Sequence, residues 1–303
     1  MGLWILFVAM VSVALAIDLG LKSHRHRSQA ISMGEAARWT VLWVALTLIF
    51  AGAVYAVKGH QRALEFLTAY LIEESLSVDN MFVFALIFQF FRISAAHQPR
   101  VLKWGILGAV VMRLVLIFTG VSLLAHSHWV MYLFGGLLII TAVKMVTDDE
   151  KSIQPNENAL LKIFQRFIPI TTEQQGENFL TDKRGRYVGT PLLAALLVVE
   201  ASDLVFALDS IPAVLAVSSD PFIVFTSNIF AILGLRALYF LISGFLGLFR
   251  YLKYGLGVVL AFIGMKMLLI DVVPIKTGVS LLVVLACLGV SIVCSLTMGP
   301  RHE

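Results

Sequence analysis

The stretch VVEASDLVFALDSIP, Val198 to Pro212, sets three carboxylates, Glu200, Asp203 and Asp209, in one of the most apolar parts of a very apolar chain. Of the 303 residues, 59% are hydrophobic and 14% charged, and the mean hydropathy is +0.90. A globular domain carries about 25% charged residues. Runs of roughly 17 to 25 apolar residues recur along the chain, each long enough to cross about 30 Å of hydrocarbon as a helix. The sequence therefore predicts an all-α polytopic membrane protein, a single transmembrane domain over 1–303. The three acids lie where hydrocarbon is the expected solvent.

Working outward from that stretch, nine apolar segments are predicted, at about 2–19, 38–57, 67–91, 104–124, 129–147, 190–216, 222–248, 254–271 and 278–298. Ala14-Leu15-Ala16 has the look of a signal-peptidase site, but no basic residue precedes the first run, whereas Lys22, Arg25 and Arg27 follow it. That order predicts a retained helix with its N-terminus outside. Nine spans then leave 17 of the Lys and Arg residues on the cytoplasmic side and three outside, Lys58, Arg62 and Lys276, with Arg113, Arg236 and Lys266 inside spans. Such a bias sets the orientation as N-out and C-in. It also accounts for the net charge of +4 without a nucleic-acid partner.

The one long loop, 148–189, falls in the cytoplasm. Within it ALLKIFQRFIPI, Ala159 to Ile170, spaces Leu160, Ile163, Phe164 and Phe167 as one helix face. A short helix lying on the membrane or packed under the bundle is the expectation, with docking of a membrane-protein partner as the alternative.

Three features recur in order at nearly one offset. Arg113 and Arg236 are 123 positions apart, Lys144-Met145 and Lys266-Met267 are 122 apart, and Asp79 and Asp203 are 124 apart. Segments 3–5 and 6–8 thus read as copies of one unit. Three spans is an odd number, so the second copy is inverted, as in many secondary transporters whose site lies at the repeat interface.

Segment three, AYLIEESLSVDNMFVFALIFQF (Ala69–Phe90), contributes Glu73, Glu74, Asp79 and Asn80. Segment six contributes Glu200, Asp203, Asp209 and Ser210. At 100° per residue, Glu73, Ser77 and Asn80 share a face, as do Glu200, Asp203 and Ser210, while Asp79 and Asp209 lie about 120° away. Either each helix breaks locally, for which Asp209–Pro212 is the place, or there are two adjacent sites. An acid at a span centre costs about 2.5–3.5 kcal/mol, so six ionised acids alone would cost on the order of 15–20 kcal/mol. Arg113 and Arg236 offset two of them. The rest need protons or a cation.

Carboxylate, amide and hydroxyl oxygens suit Mg²⁺, Ca²⁺ or Mn²⁺. Met81 could lend a thioether, although such a residue more often belongs to the core. The candidate ligands are the six acids Glu73, Glu74, Asp79, Glu200, Asp203 and Asp209, with Asn80 and Ser210 beside them, around an ion in transit rather than a tightly bound cofactor. His24, His26, His126 and His128 read as solvated loop residues. Cys287 and Cys294, seven apart in one apolar segment, form no disulfide framework. No Gly-rich phosphate loop, HExxH pattern or nucleophile elbow occurs, which predicts a protein that is not an enzyme.

EESLSVDN (Glu73–Asn80), VEASDLVFALDSIPAV (Val199–Val214), DPFIVFTSNIFAILGLRALYF (Asp220–Phe240) and RFIPIT…GENF (Arg166–Phe179) together resemble the signature segments of the TerC family of integral membrane proteins. The resemblance runs from about Ala37 to the C-terminus and is nearest to the Alx branch. It implies a bacterial inner-membrane protein, associated with tellurium resistance and, in Alx-like members, with manganese export. It further implies that Glu73, Asp79, Glu200, Asp203 and Asp209 are metal-site positions. Some family members are linked instead to metal loading of exported proteins or to membrane-protein assembly.

Overall fold

A computed structural model describes residues 2–18, 32–127, 129–147, 171, 178–183, 186–242, 251–273 and 275–297. Nine helices lie among them: α1 (Gly2–Asp18), α2 (Met33–Lys58), α3 (His60–Phe90), α4 (Gln98–His126), α5 (Trp129–Thr147), α6 (Pro191–Leu215), α7 (Pro221–Ile242), α8 (Leu252–Leu268) and α9 (Thr277–Thr297). Each overlaps one apolar segment of the sequence. The predicted helix at 159–170 lies outside the described residues.

Six of the nine, α2, α4, α5, α6, α7 and α9, are long and apolar enough to cross a membrane by length and composition. The other three fall short for legible reasons. Helices α1 and α8 have 17 residues each, about 26 Å at 1.5 Å per residue. Helix α3 is the longest at 31 residues, but its acids dilute its hydropathy. Outward faces carry apolar side chains such as Ile5, Val41, Val111, Val205, Leu282 and Val293, each more than half exposed. In a bilayer these faces meet lipid tails.

The all-α expectation needs one amendment. Leu180–Lys183 (β1) and Arg186–Gly189 (β2) form an antiparallel hairpin, with Leu180 opposite Gly189 and Lys183 opposite Arg186. Thr190 then accepts the chain back into the bundle, its hydroxyl donating to the Asn178 carbonyl at 2.7 Å. Pro191 opens α6 at the position where a missing N–H costs nothing.

Helices α3, α4, α6 and α7 form the centre, with α3 on α7 and α4 on α6. The most extensive packing is α5 against α8. There Gly135 meets Gly264, and Gly257 meets Ala142, so closely that a Cβ on Gly264 would sit 2.8 Å from the Gly135 carbonyl oxygen. Contact residues ascend along one helix as they descend along the other, so the pair is antiparallel. Helix α1 joins α2 and α7 through an aromatic cluster of Trp4, Phe7, Phe50, Phe222 and Phe230.

Polar ties collect at one end. Gly59, with φ of +86°, is the single residue between α2 and α3, a backbone conformation that glycine adopts freely. Beside it, Lys58 pairs with Asp220 at 2.5 Å, and Asp220 caps α7 by accepting the Phe222 N–H at 3.0 Å. Buried Glu65 accepts from Ser218 at 2.7 Å and from Arg62 at 2.6 Å. Gln61 reaches Thr277 of α9 at 2.8 Å. Burial works to raise the Asp220 pKa, but Lys58, the Phe222 amide and nearby Arg62 outweigh it and hold the carboxyl below its ordinary value.

Candidate functional site

Arg113, at mid-length of α4, is 1% exposed and is the largest fully buried side chain among the described residues. An arginine there is tolerable only if its donors are met. Its Nη1 donates to Glu73 of α3, to Asn228 Oδ1 of α7 at 3.0 Å and to Ser210 Oγ of α6 at 3.4 Å. Its Nη2 donates to Asp203 Oδ1 of α6 at 3.3 Å. Four helices thus meet at one guanidinium. Asn228 also donates from Nδ2 to Glu73 Oε2 at 2.9 Å, so its amide bridges the acid and the base.

The pairing is incomplete. Arg113 Nε, Asp203 Oδ2, Glu74 Oε2 and Ser77 Oγ are buried without a hydrogen-bond partner among the described residues. Buried polar atoms in native proteins nearly always have partners, and the exceptions often mark a function. Two carboxylates face a single guanidinium, and one of their oxygens, Asp203 Oδ2, has no donor among the described residues.

Helical phase explains which predicted ligands converge. Glu73 and Ser77 are both buried on α3, and Asn80 beyond them is 5% exposed. Along α6, Asp203 and Ser210 both reach Arg113, and Glu200, three residues before Asp203, lies against Gly108 of α4. A Cβ at Gly108 would overlap the Glu200 carboxylate. Glycine at that position makes room for the acid. The side chain of Asp79 lies outside the described residues.

Asp209 does not join the cluster. The break anticipated before Pro212 is not present: α6 runs unbroken from Pro191 to Leu215, with Pro212 inside its last turn. Because that turn ends at Leu215, the missing N–H falls where little helix remains to be disrupted. Asp209 keeps its 120° offset, and its Oδ1 accepts from Thr141 of α5 at 2.7 Å. Among the described residues no three His, Cys, Asp or Glu side chains form a metal-binding group. The ligand types that do converge are two acids, an amide and a hydroxyl. Met81 is fully buried in the apolar cluster with Phe84 and Phe88, a core residue.

The sequence reading missed Asn228, although it is a polar residue in mid-span. Its neighbours hid it. Thr226 and Ser227 spend their hydroxyls on their own helix, donating to the Phe222 and Val224 carbonyls, a common habit of Ser and Thr in apolar helices. An amide two carbons from the backbone cannot satisfy both its ends that way. Gly108 was missed because a glycine in a span carries no charge to account for.

These features describe a multi-pass helical membrane protein with a charged centre shared by four helices. The profile of the Integral membrane protein TerC family matches residues 58–303. A membrane protein of Myxococcus xanthus is 52% identical over 301 residues, covering 99% of this chain and 93% of its own length. A protein of Escherichia coli strain K12, named as the membrane-bound redox modulator Alx, is 44% identical over 309 residues, covering 99% of this chain and 96% of its own. A membrane protein of Rickettsia felis is 36% identical over 293 residues, 97% of both chains. The chain belongs to the TerC family of integral membrane proteins. No solved structure matches it.

Proposed function

We propose that this protein is a transporter, not an enzyme, that exports a divalent metal cation, foremost Mn²⁺, through the acidic centre between α3 and α6. One observation carries the reading: two buried carboxylates, Glu73 and Asp203, share one guanidinium, and Asp203 Oδ2 has no partner among the described residues. A fixed ion pair serving only stability would balance its charges, because an uncompensated buried charge costs several kcal/mol. The donor atoms are oxygens, which fits Mn²⁺, Mg²⁺ or Ca²⁺ and counts against softer ions. Manganese, the export direction and the bacterial inner membrane come from the family resemblance.

An inverted repeat of α3–α5 and α6–α8 within a nine-span, N-out and C-in chain fits the packing. Exchanging the two halves turns α3 on α7 into α6 on α4, and both pairs pack. The offset of 122 that relates Lys144 to Lys266 also relates Gly135 to Gly257 and Ala142 to Gly264. The Gly135–Gly264 contact therefore maps onto the Gly257–Ala142 contact. A crossing that maps onto itself is what a two-fold axis in the membrane plane produces.

The test is flux. Purified protein in proteoliposomes is offered Mn²⁺, Mg²⁺ and Ca²⁺ under an imposed pH gradient, and Asp203→Asn is expected to abolish movement of the transported ion while the protein stays folded. Wild-type flux in that variant would sink the reading. No flux from the pure protein, with a partner that co-purifies only when 148–189 is intact, would favour the metal-loading or assembly role. A redox role through an internal disulfide has little support in this chain. Cys287 and Cys294 are two turns apart on α9, about 10 Å by helical rise, beyond the roughly 7 Å that a disulfide spans.

A further inference from the structure

We propose that the Arg113 guanidinium stands in the transported cation's own place, so that an incoming divalent ion must displace it, and that Asn228 is a ligand to both. The inference rests on the reading of Glu73 and Asp203 as cation ligands. Its starting point is the acceptor set of the guanidinium: Glu73, Asp203 Oδ1 at 3.3 Å, Asn228 Oδ1 at 3.0 Å and Ser210 Oγ at 3.4 Å. Two carboxylates, an amide oxygen and a hydroxyl are the hard oxygen set that a divalent ion takes. They reach one positive group from α3, α6 and α7.

The hold on Arg113 is of a displaceable kind. A guanidinium fixed for structure commonly sets its two-pronged fork on one carboxylate. Here the fork is split between two acids, the Asp203 arm is long, and the buried Nε has no partner among the described residues. A single positive charge also neutralises only one of the two carboxylates. A divalent ion neutralises both, and it can use the Asp203 oxygen that has no donor among the described residues.

Asn228 does not have to move for the exchange. Its Nδ2 is held by Glu73 Oε2 at 2.9 Å, which fixes the amide so that Oδ1 faces whichever cation is present. The displaced guanidinium has a carboxylate to go to. Glu200 lies three residues before Asp203 on α6, a neighbour on the same face, and it is already seated against Gly108 of Arg113's own helix. Displacement then trades one acid for another and strands no charge.

Competition and structural support predict opposite signs. A competitor that fills the site nine-tenths of the time lowers apparent affinity about tenfold. Mn²⁺ binding is measured by equilibrium dialysis on full-length protein in nanodiscs, for wild type, Arg113→Gln and Arg113→Lys. Arg113→Gln is expected to bind Mn²⁺ about tenfold more tightly and to turn over more slowly in proteoliposomes, having lost the group that drives release. Arg113→Lys keeps the buried charge and folds more safely, but an ammonium cannot span both acids. It is expected to fall between the two. Asn228→Leu, which leaves every charge in place, is expected to weaken binding.

Unchanged or weaker Mn²⁺ binding by Arg113→Lys would overturn the displacement even if Arg113→Gln proved unstable. Unchanged binding by Asn228→Leu would remove Asn228 from the ligand set. A wild-type protein that binds none of Mn²⁺, Mg²⁺ and Ca²⁺ takes down the cation reading itself. A wild type that binds and transports, beside an Arg113→Lys that binds no tighter, takes down only the displacement.

Discussion

Asn228 holds Glu73 and Arg113 together without carrying a charge, and its loss should be felt in stability as well as binding. Asn228→Leu leaves Glu73 Oε2 unmatched in the core, which should cost about 1–3 kcal/mol, readable as a lowered thermal midpoint in detergent. Gly108→Ala pushes a methyl into the Glu200 carboxylate. Overpacking of that kind costs about 1–3 kcal/mol, and flux should fall with it. Far from this centre, the Lys58–Asp220 pair sets a pH dependence. The folded pKa of Asp220 lies below its ordinary 3.8, so the pair stabilises fully above that value and fades as pH falls through the folded one. The stability gap between wild type and Asp220→Asn should therefore be constant near neutrality and close only in strong acid. Glu73, Glu200, Asp203 and Ser210 were legible from sequence because a charge in hydrocarbon demands an explanation and helical phase groups its neighbours. Asn228 and Gly108 were not, since a neutral amide or a missing side chain raises no such demand.

At the scale of elements, each of the nine apolar segments overlaps a helix, and length and hydropathy mark six of those helices as able to cross a membrane. The fate of Asp209 was less legible. A proline after an acid suggested a break, but only the depth of Pro212 in its final turn reveals that α6 carries through. The hairpin at 180–189 escaped notice because four-residue strands in a polar loop leave no periodic signal. The α5–α8 crossing was visible only once both helices were placed. It makes a clear prediction: Gly264→Ala forces a methyl against the Gly135 carbonyl and should destabilise by about 1–3 kcal/mol. Gly136→Ala, one residue from the seam with nothing within 4 Å, should be neutral or slightly stabilising through helix propensity. Thermal unfolding of both variants in one detergent makes the comparison.

For the whole molecule, the distribution of basic residues is the part most open to a single decisive measurement. With 17 Lys and Arg residues assigned inside and three outside, a reporter fused after Glu303 should register as cytoplasmic, and a cysteine introduced near Lys276 should react with an impermeant reagent applied from outside. The reverse labelling would invert the bundle and with it the assignment of the Lys58–Asp220 end. The bridge from Glu73 to Arg113 has a consequence for biosynthesis too. Helix α3 emerges from the ribosome with acids that make it a poor lipid-facing segment, and its first buried counter-charge follows 40 residues later. Helix α3 is best retained at the translocon until α4 arrives, so the two leave for the lipid as a pair. Asp203 and Asn228 then dock onto a partnership already made.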